Sequence, residues 1–201
     1  MKKGYKVIDM DTHVGPGFDV LCEFVDPRFR PRLQEMEQYR QKGGKNIAVA
    51  PYQMRRLHIG TYLGFGLEYI MACAALTLGG VLDEFPNLRF CFFEAGASWM
   101  PYAMYGADRS FEIEPQCART ATLPSQLIKQ HCLTAVEPAE HLEQLVEAIG
   151  SEQFFFGTDF PHPEFQRYHN TAAAILDRPQ LSREAKDNIL GNNIARCLRL
   201  G

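Results

Sequence analysis

PAEHLEQLVEAIGSEQFFFGTDFPH, residues 138–162, decides the fold. Leu142, Leu145, Val146 and Ile149 recur at i, i+3, i+4 and i+7, the spacing of one apolar helix face. Pro138 is placed to open this helix and Gly150 to stop it. Gln153–Phe156 then forms a short run with no alternation between polar and apolar residues, as in a strand buried on both faces. That strand runs directly into Gly157-Thr158-Asp159-Phe160-Pro161-His162, so its carboxyl end delivers an acid and a histidine.

The same grammar extends in both directions. A helical stretch over 67–82 and a turn over 83–87 lead to a strand over 88–93, after which Ser98 caps a helix to about Phe111. A short helix from Ser125 precedes a strand over 131–136, and Tyr5–Met10 reads as a first strand ending in Asp11 and His13. Pro27–Gln41 suits a helix. Between 45 and 69, Ile47–Ala50 and Arg56–Gly60 read as short strands, with Gly60, Gly64 and Gly66 marking a loop. Helices over 168–176 and 182–198 close the chain, the second interrupted near Gly191. Strands alternating with amphipathic helices predict parallel βαβ units, and in such α/β folds ligands bind beyond the carboxyl ends of the strands.

The chain has 201 residues, 46% hydrophobic and 22% charged, so it is expected to fold as one domain over 1–201. A formal charge of −3 without a clustered basic face argues against a nucleic-acid partner. The start, MKKGYKVIDMD, lacks the apolar run of a signal peptide, and no window resembles a membrane span, so a cytoplasmic protein without a membrane partner is expected. The six scattered cysteines fit buried free thiols in a reducing compartment.

Asp11, His13, His58, Glu94, His131, Asp159 and His162 fall at or just beyond the expected strand ends. A zinc-like ion takes imidazole nitrogen and carboxylate oxygen, and a catalytic ion needs about three protein ligands and one open position. Asp11, His13, His58 and Asp159 offer such a set from three separate strands. Each has a plainer alternative: Asp11 can cap a loop, His13 can bond backbone, His58 can be an ordinary loop residue, and Glu94 can cap the helix that follows it. Asp159, between a buried strand and a proline turn, is the hardest to explain without a partner, because burial penalises an unpaired carboxylate. His131 begins its strand and so belongs at the opposite end, and His141 and His169 fit helix surfaces.

The string from Gly80 to Tyr102, GVLDEFPNLRFCFFEAGASWMPY, resembles the amidohydrolase-related (amidohydrolase 2) family of metal-dependent hydrolases and decarboxylases. Asp11-x-His13 is similar to that family's first-strand metal motif, FGTDFPH at 156–162 to its last-strand motif, and AKDNILGNNIAR at 185–196 to its closing helix. The resemblance implies a partial TIM-like (β/α) barrel whose parallel strands correspond to barrel strands 5-6-7-8-1, with His58 on a remnant of the fifth. A complete barrel of this type takes about 250 residues. Open edges and an uncovered inner face would then favour a homo-oligomer, two partial barrels facing across a two-fold axis, or residues 42–66 folding over the gap.

By the same resemblance, Asp11, His13, His58 and Asp159 hold one divalent metal, zinc or alternatively manganese. Glu94, which stands where many relatives have a histidine, or Asp159 moves protons. The implied substrate is a small carboxylated or aromatic molecule met by His162, with Arg55, Arg56 or Arg167 clamping a carboxylate bidentately. The competing reading is a shortened, catalytically inactive relative that serves as a binding or assembly module.

Overall fold

The computed structural model describes residues 3–11, 28, 57–160 and 171–200, and side chains in its first helix from residue 64 onward. Three parallel strands, β1 (Phe90–Phe92), β2 (Cys132–Val136) and β3 (Phe154–Phe156), form a sheet in the order β1-β2-β3. Phe90 pairs with Cys132 and Thr134 with Phe154. Helices α1 (Leu57–Thr77) and α2 (Val81–Glu84) precede β1. The crossover from β1 to β2 carries α3 (Trp99–Ile113) and α4 (Pro124–His131). Helix α5 (Leu142–Ile149) joins β2 to β3. After β3 come α6 (Thr171–Leu176), α7 (Arg183–Asp187), a π-helical turn (Asn188–Asn192) and α8 (Asn193–Cys197). The parallel βαβ reading therefore holds for the described residues.

Side-chain alternation along the strands assigns the two faces. Phe92, Cys132, Val136, Phe154 and Phe156 pack with Trp99, Met100, Ile128, Leu142 and Leu145 from the helices. Leu133, Ala135 and Phe155 meet Ile8, Met10 and Ile194 on the other face. Phe155 is 0% exposed, so the continuous apolar strand is buried on both sides as its composition requires. The expectation of an uncovered inner face is corrected here: the amino-terminal segment and α8 cover it.

The largest local departure lies before β1. Residues 57–60, expected as part of a strand, are helical, and Gly60, Gly64 and Gly66 continue α1 rather than breaking it. Tyr69, Ile70, Cys73, Leu76 and Thr77 form the inward stripe of this helix. Tertiary burial of that stripe outweighs the roughly 1 kcal/mol that each interior glycine costs. His58 therefore lies on the first turn of a helix and not at a strand end.

Two further boundaries moved for visible reasons. The segment 5–10 runs beside β3, with the Met10 amide donating to Phe156 O at 3.2 Å, yet the Ile8 amide donates to Leu190 O at 2.8 Å instead of to a strand. It crosses so close to Gly191 that a Cβ there would lie 2.7 Å from Lys6 O. The expected helix start at Pro138 shifts to Leu142, because the Arg178 guanidinium takes the carbonyls of Pro138 and Glu140 at 2.7 and 2.9 Å. His131 closes α4 and contacts Leu88 O at 2.9 Å, at the end of the sheet opposite the acids. The interruption near Gly191 is the π-helical turn. Among the described residues, no helix is long and apolar enough to cross a membrane. Apart from residue 28, the expected helix over 27–41 lies outside them, as do the strand over 47–50 and residues 161–170.

Candidate active site

Asp11, Glu94 and Asp159 meet at the carboxyl lip of the sheet, each offering a carboxylate oxygen within 4.8 Å of the others. Glu94 follows β1 by two residues and Asp159 follows β3 by three, while Asp11 ends the segment lying beside β3. Asp159 is buried at 4% exposure, and Asp11 and Glu94 are half-buried. Glu94 and Asp159 both adopt left-handed backbone, with φ of +63° and +48°. For residues with a Cβ this conformation costs of order 1 kcal/mol or more and persists only where surrounding contacts enforce it.

Those contacts are present at both turns. The Asp9 carboxylate accepts the Thr158 amide at 2.9 Å, the Thr158 hydroxyl at 2.6 Å and the Asp11 amide at 3.2 Å, tying the first segment to the turn after β3. Gly157 permits the approach, because a Cβ at that position would lie 2.7 Å from Asp11 Cβ. At the other turn the Tyr69 hydroxyl donates to Phe93 O, and Trp99 Nε1 and the Thr134 hydroxyl both donate to Gly96 O at 2.9 Å. The Glu140 carboxylate receives the Ala97 and Ser98 amides. Tyr69 packs its ring 4.9 Å from Phe92 and 5.6 Å from Trp99. Burial raises the Tyr69 phenol above its ordinary pKa, its bond to Phe93 O opposes this, and the Glu94, Glu68 and Asp11 charges raise it further.

The structure brings Asp11, Glu94 and Asp159 together out of the residues expected in the site. His13, Arg55, Arg56, His162 and Arg167 lie outside the described residues, as does the side chain of His58. The helix-capping role open to Glu94 is filled by Glu140. Sequence reasoning missed Asp9, Thr158, Tyr69 and Glu140. Asp9 and Thr158 each adjoin a recognised motif and were within reach of it. Tyr69 sits inside a helical pattern and carries no signal of its own.

The donor chemistry fits a divalent cation. Carboxylates crowded within 4.8 Å repel one another unless positive charge or protons intervene. An all-oxygen set suits magnesium or manganese, whereas zinc favours imidazole and thiolate. A separate polar cavity of about 590 Å³, lined in part by Arg89, Lys129, Gln153 and Arg196, opens at the amino ends of the strands and is not this site.

A parallel α/β sheet with acids clustered at its carboxyl lip defines an α/β protein whose candidate site lies where such folds bind their ligands. The chain belongs to the amidohydrolase family, whose pattern it matches over residues 54–200. It is 27% identical over 184 residues, 87% of its length and 49% of the relative's, to a 2-amino-3-carboxymuconate-6-semialdehyde decarboxylase of Dictyostelium discoideum. A protein of the same description from Caenorhabditis elegans is 22% identical over 139 residues, 68% of this chain and 34% of that one. The chain thus spans about half or less of the length of these relatives. Among solved structures it resembles 5-carboxyvanillate decarboxylase of Sphingomonas paucimobilis, with a TM-score of 0.59, 19% identity and coverage of 97% of this chain and 58% of that one. It also resembles a dihydroxybenzoic acid decarboxylase of Polaromonas sp. JS666 solved with manganese and 2-nitroresorcinol, with a TM-score of 0.54, 18% identity and coverage of 68% and 41%. At these identities the structural likeness establishes the fold.

Proposed function

We propose that this chain carries the metal-dependent chemistry of an amidohydrolase-type decarboxylase or hydrolase acting on a small carboxylated, aromatic or muconate-like molecule. The observation that carries this reading is the convergence of Asp11, Glu94 and Asp159 at the lip of the sheet. The activities of the relatives, decarboxylations of carboxylated substrates, support the choice of substrate class.

Asp11, Glu94 and Asp159 would hold the ion in this reading, with His13 and His58 as further candidate ligands from outside the described side chains. A divalent ion bound there, manganese or zinc, would supply Lewis-acid polarisation of the substrate and would lower the pKa of a bound water, toward about 7 in the case of zinc. Of Glu94 and Asp159, Glu94 is better placed to exchange protons as well, since it is half-buried where Asp159 is closed off. Arg55, Arg56 or Arg167 would take a substrate carboxylate bidentately, and His162 is a further substrate contact. In this assignment β1, β2 and β3 correspond to barrel strands six, seven and eight and the segment 5–10 to strand one. Self-association of two copies would complete the missing part of the barrel.

Elemental analysis of protein loaded with manganese and then desalted tests the proposal. About one ion per chain, lost in Asp159→Asn, is the expected result. Equal metal content in the two proteins, or none in either, would overturn it and leave the inactive binding module as the better account.

A further inference from the structure

We infer that Tyr69 is a positioning residue for Glu94, holding that carboxylate in the geometry the metal site requires. The inference rests on the proposed ion site. Its basis is the placement of one hydroxyl. Tyr69 projects from α1, an outer helix, and its hydroxyl donates to the carbonyl of Phe93. That carbonyl belongs to the peptide joining Phe93 to Glu94, so the bond fixes the plane on which Glu94 turns.

Glu94 needs such a restraint. Its φ of +63° lies in a region that residues bearing a Cβ occupy only under external constraint. The other bonds on this turn fall further along the chain. Trp99 and Thr134 hold Gly96 O, and Glu140 holds the amides of Ala97 and Ser98. The Tyr69 bond, by contrast, acts on the peptide immediately before Glu94. The ring is itself fixed: it lies 4.9 Å from Phe92 at 48° and 5.6 Å from Trp99 at 60°, so the hydroxyl has a set direction. The Phe93 side chain packs at 5.1 Å against the ring of Phe155 on the opposite face of the sheet. The residue before Glu94 is therefore gripped at its carbonyl from one layer and at its side chain from the other.

Tyr69→Phe removes the hydroxyl and keeps the ring in its aromatic cluster, and manganese affinity is measured in wild type, Tyr69→Phe, Glu94→Gln and the double variant. The expected result is a manganese affinity weakened about 10-fold by Tyr69→Phe in the wild-type background, the scale of losing a group that orients a ligand, and no further loss in the Glu94→Gln background. Wild-type affinity in Tyr69→Phe, or the same loss in both backgrounds, overturns the inference. If wild type binds no manganese, the ion-site proposal fails on its own, and the ¹³C carbonyl resonance of Phe93 in metal-free protein then decides the role of Tyr69. An upfield move in Tyr69→Phe, with the Glu94 amide signal also displaced, supports the clamp. Unmoved signals overturn it.

Discussion

Glu140 stands where the capping side chain of Ser98 would be expected to act. Its carboxylate accepts the Ser98 amide at 2.8 Å and the Ser98 hydroxyl at 2.6 Å, and takes the Ala97 amide on both oxygens at 2.8 and 3.0 Å. The amino end of α3 is thus capped from the loop after β2, which binds the two βα connections beside the candidate site to each other. Charge-assisted bonds to exposed helix amides are worth more than neutral ones, and a negative group also suits the helix dipole.

Glu140→Ala is accordingly expected to destabilise the fold by about 2–3 kcal/mol in chemical denaturation. Ser98→Ala, which leaves the backbone amides bonded to Glu140, should cost about 1 kcal/mol or less. Equal losses in the two variants would show that the hydroxyl, and not Glu140, caps the helix.

How far the sequence disclosed this site follows from the range of the interactions that build it. Periodicity and apolar runs are local, and they revealed β1, β2, β3 and α5 and placed Asp159 and Glu94 past strand ends. The cap of α3 spans 42 residues, from Ser98 to Glu140, and no local pattern marks such a pair. Residues 57–66 read as strand and loop because their glycines are a local signal for turns, while the burial of Tyr69, Cys73 and Thr77 that makes them helical is a property of the assembled core. Left-handed backbone at Glu94 and Asp159 was hidden for a related reason. Glycine or asparagine announces that conformation in sequence, and here it is imposed on acidic residues by their surroundings.

Asn193 holds the closing helix to the sheet. It is 2% exposed, and its amide nitrogen donates to Ser151 O and Phe154 O at 2.7 Å each, while its oxygen receives Arg196. Asn193→Ala leaves two buried carbonyls without their donor and should cost about 3 kcal/mol. Asn188 offers a useful contrast, since its amide nitrogen donates to the Ser151 hydroxyl, which can rotate to another partner. Asn188→Ala should therefore cost about half as much in the same urea titration, and a reversed order would contradict this account of the π-helical turn.

The thiols should react in a defined order. Cys117 is exposed on the turn after α3, whereas burial and the neighbouring Cys197 thiol push Cys91 up to about 12. The hydrogen bond with Cys73, together with burial, raises Cys132 as well. Alkylation requires thiolate, and a raised pKa lowers the thiolate fraction at any pH below it. With iodoacetamide at about pH 8, peptide mass spectrometry should find Cys117 modified first among the cysteines of the described residues. The rate at Cys91 should climb about tenfold for each added pH unit below its pKa. Comparable rates at Cys91 and Cys117 would mean that the Cys91–Cys197 contact does not restrain the thiol.

Gly157 supplies the sharpest test of how Asp11 reaches the other acids. Its backbone φ is not in the left-handed region, so alanine there introduces no dihedral penalty, and the effect of the substitution is steric. A Cβ would lie 2.7 Å from Asp11 Cβ and 3.5 Å from the Asp11 amide nitrogen, closer to the side chain than carbon atoms tolerate. Because the clash falls on the backbone and Cβ of Asp11, the first segment as a whole must retreat from β3. Asp11 is then expected to leave the carboxylate cluster while Glu94 and Asp159 remain. Gly157→Ala should lower stability by about 1–3 kcal/mol, the range for overpacking. It should also weaken manganese binding about 10-fold or more, comparably to Asp11→Asn. Adding Asp11→Asn to Gly157→Ala should then weaken binding little further, since both changes remove the same ligand. Full additivity of the two losses would show that Gly157 acts on the metal site by a route other than Asp11.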